Sequence, residues 1–481
     1  MKKIDVILLT LILLIALTFR LYKIDTPLAD MHSWRQADTA AVARNFVNDG
    51  FTMTRPIYDD LSSIQTGLEN PEGLRFVEFP IYNAIFAFFY RYLPIVSLDI
   101  YGRLTSALFS LITIAVVYYF GLKEHSRVAA AAGALSFAIM PFFVFFSRVI
   151  LPESTAVSFM FMSLFFTYVY LNQKKPSKKS TALLFGLGVI TYAMSILVKP
   201  TTIFYSLAHA YLFIRKYEFE VFKKWQPYVF GIIGLVPFIL WRVYISQYPE
   251  GIPASAWLIT MVNTFEGPKR IFFTPAFFRW IFMERLGIAM LGIYGSLFLL
   301  VGVMGKYKSY FTHVIFASAI IYLFTFQGGN VQHEYYQTII FPAIALMMGM
   351  GVGHIIKLSE KDLNKFIAYP TVIAVFAASF LFAFYKVKDY YYIPQDLPQI
   401  ARLIQTFTLP DDKIVTDRSG DTTLLYLADR KGAPAIYKSI PELKSLGYSY
   451  IVTAQKQLTQ ELKDSGYNVL VENDQFSIIK L

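Results

Sequence analysis

The sequence predicts a polytopic α-helical membrane protein that carries a small α/β domain after its last span. Three observations predict it. Of 481 residues, 56% are hydrophobic and only 16% charged, where soluble domains carry roughly 25% charged residues. Apolar runs recur along most of the chain, each near the length that crosses a bilayer. After Lys386 these runs stop, and strand-like and helix-like segments alternate instead.

The net charge of +11 would suggest a nucleic-acid partner in a soluble protein. Here Lys and Arg fall mostly in short loops between apolar runs, so they report orientation, and no nucleic acid is expected. The chain has no cysteine, which excludes disulfides and thiolate metal sites. Met1 to Tyr22 combines a basic start with an apolar run and has no small-residue cleavage site. It reads as an uncleaved signal anchor that stays as the first span, Ile4 to Leu21.

A polar segment follows, and its opening stretch, Ala29 to Phe51, is the densest in chemistry. It places Asp30, His32, Trp34, Arg35 and Asp38 within one short interval. Ser33 and Gln36 have capping-box spacing, so a helix is expected to start near Trp34, with Gly50 as its stop. Asp30 and His32 then lie in irregular backbone before a helix start whose N–H groups favour an anion. Two readings of this stretch stay open: a reaction centre at a membrane surface, or a solvated loop with an Arg35–Asp38 surface pair.

Pro80 to Leu93 is apolar but short. The later runs are Ile100–Phe120, Val128–Phe146, Ser154–Leu171, Thr181–Val198, Pro200–Ile214, Tyr228–Ile245, Gly287–Met304, Phe311–Phe326, Tyr336–Ile356 and Phe366–Tyr385. If Pro80–Leu93 lies in the interface, every basic short loop shares one face: Lys123/Arg127, Lys174/Lys175/Lys178/Lys179, Arg215/Lys216/Lys223/Lys224, Lys306/Lys308 and Lys357/Lys361/Lys365. The positive-inside rule makes that face cytoplasmic and predicts about 11 spans, with the N-terminus inside and the C-terminus outside. Residues 1–386 are then the membrane domain, with 22–96 as its first external loop, and 387–481 an extracytoplasmic domain. In that domain Lys413–Thr416, Tyr448–Thr453, Tyr467–Val471 and Phe476–Lys480 read as strands of a largely parallel sheet. Leu397–Thr406, Thr422–Arg430, Ile440–Leu446 and Leu458–Asp464 read as its helices.

The same topology gathers unusual polar residues on the outer face. They are Glu78 before Phe79-Pro80, Arg148 and Glu153 around a span end, Lys199 before Pro200, and His333-Glu334-Tyr335-Tyr336 ahead of a late span. Each has an ordinary reading as well. Charges at a span end snorkel, Lys199-Pro200 makes a turn, and interfacial tyrosines form an aromatic belt. Asp59-Asp60 has the chemistry for a divalent metal, although acidic pairs in loops are mostly solvated.

Taken together, DMHSWRQADTAAVARNF after the first span, EFPIY, SRVILPE, LVKPT and HEYYQ resemble the GT-C glycosyltransferases. The resemblance is to bacterial relatives of protein O-mannosyltransferases and of the aminoarabinose transferase that modifies lipid A, and it covers residues 1 to about 390. It implies a GT-C-like membrane domain that moves a sugar from a polyprenyl-phosphate donor to an envelope lipid, glycan or protein on the outer face. It also implies a cell-membrane location and maps the catalytic base onto Asp30. Two positions depart from the relatives: Met31 follows Asp30 where a paired acid is usual, and Glu78-Phe79-Pro80 stands where a Lys precedes the Pro.

The residue types suit such a transfer. A base must take the acceptor's proton, and cations or N–H donors must meet the departing phosphate. Asp30 is the expected base, with Glu78 as the second candidate. His32, Arg35, Arg148, Glu153, Lys199, His333, Tyr335 and Tyr336 are the expected substrate-binding residues, and no metal ligand is assigned. Two other classes stay open: a transporter or flippase of a lipid-linked or small polar substrate, and a non-catalytic envelope assembly protein.

Overall fold

The structure is a computed structural model that describes residues 2–174, 177–253, 273–305, 307–360 and 364–481. Lys175, Lys306 and Lys361 of the basic loops, and 254–272 between the runs Tyr228–Ile245 and Gly287–Met304, lie outside the described residues. The chain forms two compact units.

The first unit comprises Met1–Ile24, Arg103–Arg242 and Ser255–Asp389. Its substance is helical, and the chain has seven helices long and apolar enough to cross a membrane among the described residues. Lys3–Leu21, Leu98–Glu124, Glu153–Leu171 and Lys178–Val198 are four of them. Trp225–Ile245, Glu334–Ser359 and Lys365–Phe407 are the other three, and the four remaining expected runs are shorter or broken. Val128–Phe146 becomes Arg127–Ile139 and Pro141–Phe146, because Pro141 cannot continue the hydrogen-bond ladder. Pro200–Ile214 opens as a 3₁₀ stretch, Pro200–Tyr205, before Ser206–Tyr217. Gly287–Met304 becomes a π-helical segment, Arg279–Met290, and then Ser296–Met304, split where Gly292 and Ile293 have positive φ. Phe311–Thr325 is helical but short. The expected total of about 11 is reached only by counting these four runs as spans.

Small residues hold the helices close, as they do between membrane helices generally. A Cβ at Gly349 would collide with the Ala129 carbonyl, which lets Phe341–Ser359 lie against Arg127–Ile139. Three fully buried arginines tie the end of the first helix to its neighbours. Arg20 donates to the Phe137 and Ala138 carbonyls, both at 3.1 Å. Arg103 donates to the Ile24 carbonyl at 2.8 Å, and Arg148 to those of Tyr22 and Lys23 at 2.6 and 2.9 Å. Carbonyls past a helix C-terminus lack intrahelical donors and attract cations.

The second unit comprises Asp25–Gly102, Val243–Ala254 and Tyr390–Leu481. Its sheet contains β1 (Lys413–Thr416), β2 (Gly432–Ala433), β3 (Tyr448–Thr453), β4 (Asn468–Glu472) and β5 (Ser477–Lys480), in the order β2-β1-β3-β5-β4. β1 pairs in parallel with β2 and β3, whereas β5 pairs antiparallel with β3 and β4. The sheet is therefore mixed, not largely parallel as expected, because only a tight turn at Asn473–Phe476 joins β4 to β5. Alternate residues feed two cores. Ile414, Val452 and Ile478 meet Ile400, Ile404 and Leu425 on one face, while Val415, Ile451 and Ile479 meet Leu443 and Leu462 on the other.

The first loop packs with this sheet in one unit, a grouping that differs from the sequence division at residue 387. Leu61 N–H donates to the Gly432 carbonyl at 2.7 Å, and Gly432 N–H donates to that of Asp59 at 2.8 Å. The loop thus satisfies the edge of β2, a pairing set by backbone groups that any sequence possesses. Helix Ile81–Tyr92 belongs to the same unit and buries Tyr82 and Phe86. Its 12 residues span about 18 Å, short of the ~30 Å hydrocarbon core.

Candidate active site

The expected site residues fall into two clusters, one in each unit. In the second unit, helix Ser33–Asp49 starts one residue from the expected position and stops at Gly50, where φ is +99°. The expected capping box does not form. Ser33 Oγ instead accepts from Thr423 Oγ1 at 2.9 Å, and Gln36 reaches back beyond the helix start. Gln36 Nε2 donates to Asp30 Oδ1 at 2.6 Å and to the Met31 carbonyl at 3.1 Å. His32 sits between them in left-handed backbone, with φ of 58°. That conformation is uncommon for a residue with a side chain, and it turns the chain sharply into the helix. Met31 N–H donates to the Tyr390 carbonyl at 3.1 Å, which anchors the stretch. Asp30 is thereby a buried carboxylate held in place by an amide.

Arg35 takes Glu78, not Asp38. Its Nη2 lies 2.6 and 2.8 Å from the two carboxylate oxygens, and its Nη1 donates to Thr39 Oγ1 at 3.2 Å. One turn of helix separates Arg35 from Thr39, so their meeting follows from helical spacing. The expected Arg35–Asp38 surface pair is absent because Asp38 is buried and bonded elsewhere, 2.7 Å from Arg75 Nη2. Thr422 Oγ1 donates to its other oxygen, also at 2.7 Å.

Asp59 and Asp60 point to different partners, which corrects the thought of a shared metal. Asp59 Oδ1 accepts from Arg44 at 2.6 Å, while Asp60 Oδ1 accepts from Ser62 N–H and Oγ at 2.8 and 2.6 Å. No group of three His, Asp or Glu arranged to hold a metal occurs among the described residues. Burial pushes the Asp60 carboxyl up to about 7, helped by the Asp38 charge and opposed by the Ser62 hydrogen bonds and Arg75.

In the first unit, Glu153 and Lys199 form a 2.7 Å ion pair, both nearly buried. Glu153 opens helix Glu153–Leu171 behind Pro152, and Lys199 closes helix Lys178–Val198. An acid at a helix N-terminus and a cation at a C-terminus each complement the helix dipole. The residue before Pro200 is biased to extended backbone, and Lys199 adopts it with φ of −151°. Its ammonium lies 5.3 Å from the centre of the Tyr336 ring, within cation–π range.

His333, Tyr335 and Tyr336 form a stack. The Tyr335 and Tyr336 rings are 4.9 Å apart at 27°, and His333 lies 5.4 Å from Tyr335 at 15°. The 3₁₀ stretch Glu334–Ile340 that presents them is fixed by neighbours: Tyr322 OH donates to the Tyr336 carbonyl at 3.0 Å and Tyr205 OH to that of Ile339 at 2.7 Å. Glu334 pairs with Arg285, a partner that sequence reasoning missed. A lone arginine beside an apolar run was the signal available. Gln36 was misread as a cap, and nothing in the local pattern around Arg75 marks it as the partner of Asp38. Arg148 donates to backbone carbonyls at the end of the first helix.

This arrangement of helices with a small sheet unit has known counterparts. ArnT from Cupriavidus metallidurans bound to undecaprenyl phosphate overlays with a TM-score of 0.66 at 12% identity, covering 98% of this chain and 97% of that one. The chain has the GT-C fold. The oligosaccharyltransferase AglB from Archaeoglobus fulgidus, solved with an inhibitory peptide and a dolichol-phosphate, overlays at 0.59 with 10% identity, covering 94% of this chain and 69% of that one. The arabinofuranosyltransferase AftD from Mycobacteria overlays at 0.61 with 11% identity, covering 98% and 39%. A family model described as dolichyl-phosphate-mannose-protein mannosyltransferase matches residues 81–243. No curated protein sequence matches the chain.

Residues 81–243 run from helix Ile81–Tyr92 to helix Trp225–Ile245 and so include Arg148, Glu153 and Lys199 of the expected site residues. Within the GT-C fold of this chain, two carboxylate–cation pairs are built by separate elements: Arg35–Glu78 in one unit and Lys199–Glu153 in the other.

Proposed function

We propose that the protein is a membrane glycosyltransferase that moves a sugar from a polyprenyl-phosphate carrier to an envelope lipid, glycan or protein acceptor on the outer face. The observation that carries this reading is the near-complete overlay on ArnT bound to undecaprenyl phosphate. The buried polar clusters add the chemistry. In this reading Asp30 takes the proton of the acceptor hydroxyl or amine while that atom bonds to the anomeric carbon. The bond from that carbon to the phosphate oxygen breaks, and the pair of electrons leaves with the polyprenyl phosphate. A single displacement of this kind inverts the anomeric centre.

Gln36 serves to hold Asp30 in one orientation, which a general base requires. Lys199, aligned by Glu153 and flanked by His333 and the tyrosine stack, is suited to the negative charge that develops on the leaving phosphate. Glu78, engaged by Arg35, orients that guanidinium instead of acting as the base. The C-terminus stands outside the membrane and the N-terminus inside, in keeping with the basic loops.

The test is Asp30→Asn. It is expected to lower turnover by about 10²–10⁴-fold while donor affinity is kept, because Asn preserves the shape but accepts no proton at neutral pH. Transfer measured in purified membranes, beside binding of the lipid-linked donor, reads both quantities. Near-normal turnover in the folded variant overturns Asp30 as base. Substrate flux across sealed vesicles with no sugar transfer, in the unaltered protein, overturns the enzyme reading altogether.

A further inference from the structure

The helical unit contains a polar cavity that none of the expected site residues lines. Its volume is ≈ 620 Å³, within the range of small-ligand sites. Three lysines from separate segments line it. Lys123 ends helix Leu98–Glu124, Lys357 lies in the last turn of Phe341–Ser359, and Lys308 lies in the connection before Phe311–Thr325. His125 and His354 line it too.

Two carboxylates, Glu124 and Glu360, line the cavity as well, and each lies beside another cation. Glu124 is nearly buried, accepts from Tyr168 OH at 2.7 Å, and lies 3.2 Å from Arg215. Glu360 lies 3.8 Å from Lys365. No described carboxylate pairs with Lys123, Lys308 or Lys357. With Glu124 and Glu360 matched by Arg215 and Lys365, the three lysines leave the cavity with a net positive charge that favours an anion.

The three lysines themselves are exposed, but the cavity wall behind them is built firmly. Gly353 lets the two helices approach so closely that an added Cβ would sit 2.8 Å from Ala129 Cβ and 2.9 Å from His125 Nδ1. Tyr307 packs its ring against His125, His313 and His354, with centroids 5.6, 5.1 and 6.1 Å away. Val128 and Ile356 add apolar wall. Cations with ring N–H donors above an apolar wall fit a phosphate attached to a greasy group.

We propose that this cavity binds a phosphate-bearing anion, supplied either by an anionic phospholipid headgroup or by a soluble phosphate. The test uses the full chain in detergent, with native mass spectrometry after addition of phosphatidylglycerol or phosphatidylcholine. Phosphatidylglycerol is expected to stay bound, and Lys308→Gln and Lys357→Gln to weaken it by about fivefold each. The triple variant that adds Lys123→Gln is expected to lose it by about 100-fold. Lys224→Gln, whose ammonium pairs with Glu220 elsewhere, is expected to behave as the parent. Displacement by a large excess of inorganic phosphate assigns the site to a soluble phosphate, and persistence assigns it to the lipid headgroup. Equal retention of phosphatidylglycerol by the parent and the triple variant overturns the proposal, as does equal retention of the two lipids by the parent.

Discussion

Asp38 and Arg75 form an ion pair 2.7 Å long in which the carboxylate side chain is wholly buried. Thr422 completes it by donating to the other oxygen, also at 2.7 Å. Three stretches far apart in the chain thus meet at one carboxylate: the helix after the first loop's opening, the segment before Pro80, and the start of helix Thr423–Ala428.

Asp38→Asn should therefore destabilise the protein. It leaves the Arg75 guanidinium buried without its counter-charge, a change that costs about 3–5 kcal/mol. The melting temperature of the purified full chain is expected to fall clearly. The double variant Asp38→Asn/Arg75→Met should recover part of the loss, because no lone charge remains. A single variant that melts with the parent would show that the pair contributes little.

Asp60 predicts a pH dependence whose sign can be worked out. Its carboxyl is raised from 3.8 to about 7 in the folded state, with burial as the main cause. Between those values the folded state holds a proton that the unfolded state has lost. This contribution to stability is fully present below pH 3.8 and is lost as pH rises through about 7. Asp60→Asn keeps an acceptor for Ser62 but cannot ionise. Melting temperatures measured from pH 5 to pH 8 (about the range in which such linkage shows) should decline less steeply in this variant than in the parent. Parallel curves would refute the assignment.

The Lys199–Glu153 pair separates stability from chemistry. Lys199→Met alone strands a buried carboxylate and should lower both the melting temperature and the affinity for the lipid-linked donor. Lys199→Met/Glu153→Leu replaces the pair by apolar groups, often at little cost to stability. The double variant is expected to melt near the parent yet bind the donor poorly. Full donor affinity in that stable double variant would remove Lys199 from the phosphate site.

Orientation is open to direct labelling, since the chain has no cysteine to confuse the readout. Lys174→Cys should resist an impermeant thiol reagent added to intact cells and react once the membrane is opened. Reaction in intact cells would invert the topology drawn from the basic loops.

Much of the architecture was legible in the chain. β1 and β3 have the expected bounds, and helix Asp396–Phe407 differs from the expected Leu397–Thr406 by one residue at each end. Hydrophobic periodicity is a local property, so a local reading recovers it. β2 was missed because Gly432–Ala433 has two residues and no pattern of its own. It exists because β1 and the first loop supply its hydrogen bonds.

By itself the sequence determined the membrane character, the positions of the principal helices, the small sheet unit, and the residues worth suspecting. Composition and spacing carry that information, because burial of apolar surface selects helices of bilayer length whatever their neighbours are. Only the tertiary structure decided the partners. Arg35 could meet Asp38 one turn away, yet it lies against Glu78, while Asp38 is drawn to Arg75 and Thr422. A buried charge needs a counter-charge and hydrogen bonds within about 3 Å. Which group stands there depends on how distant segments pack, a distance that no spacing along the chain encodes.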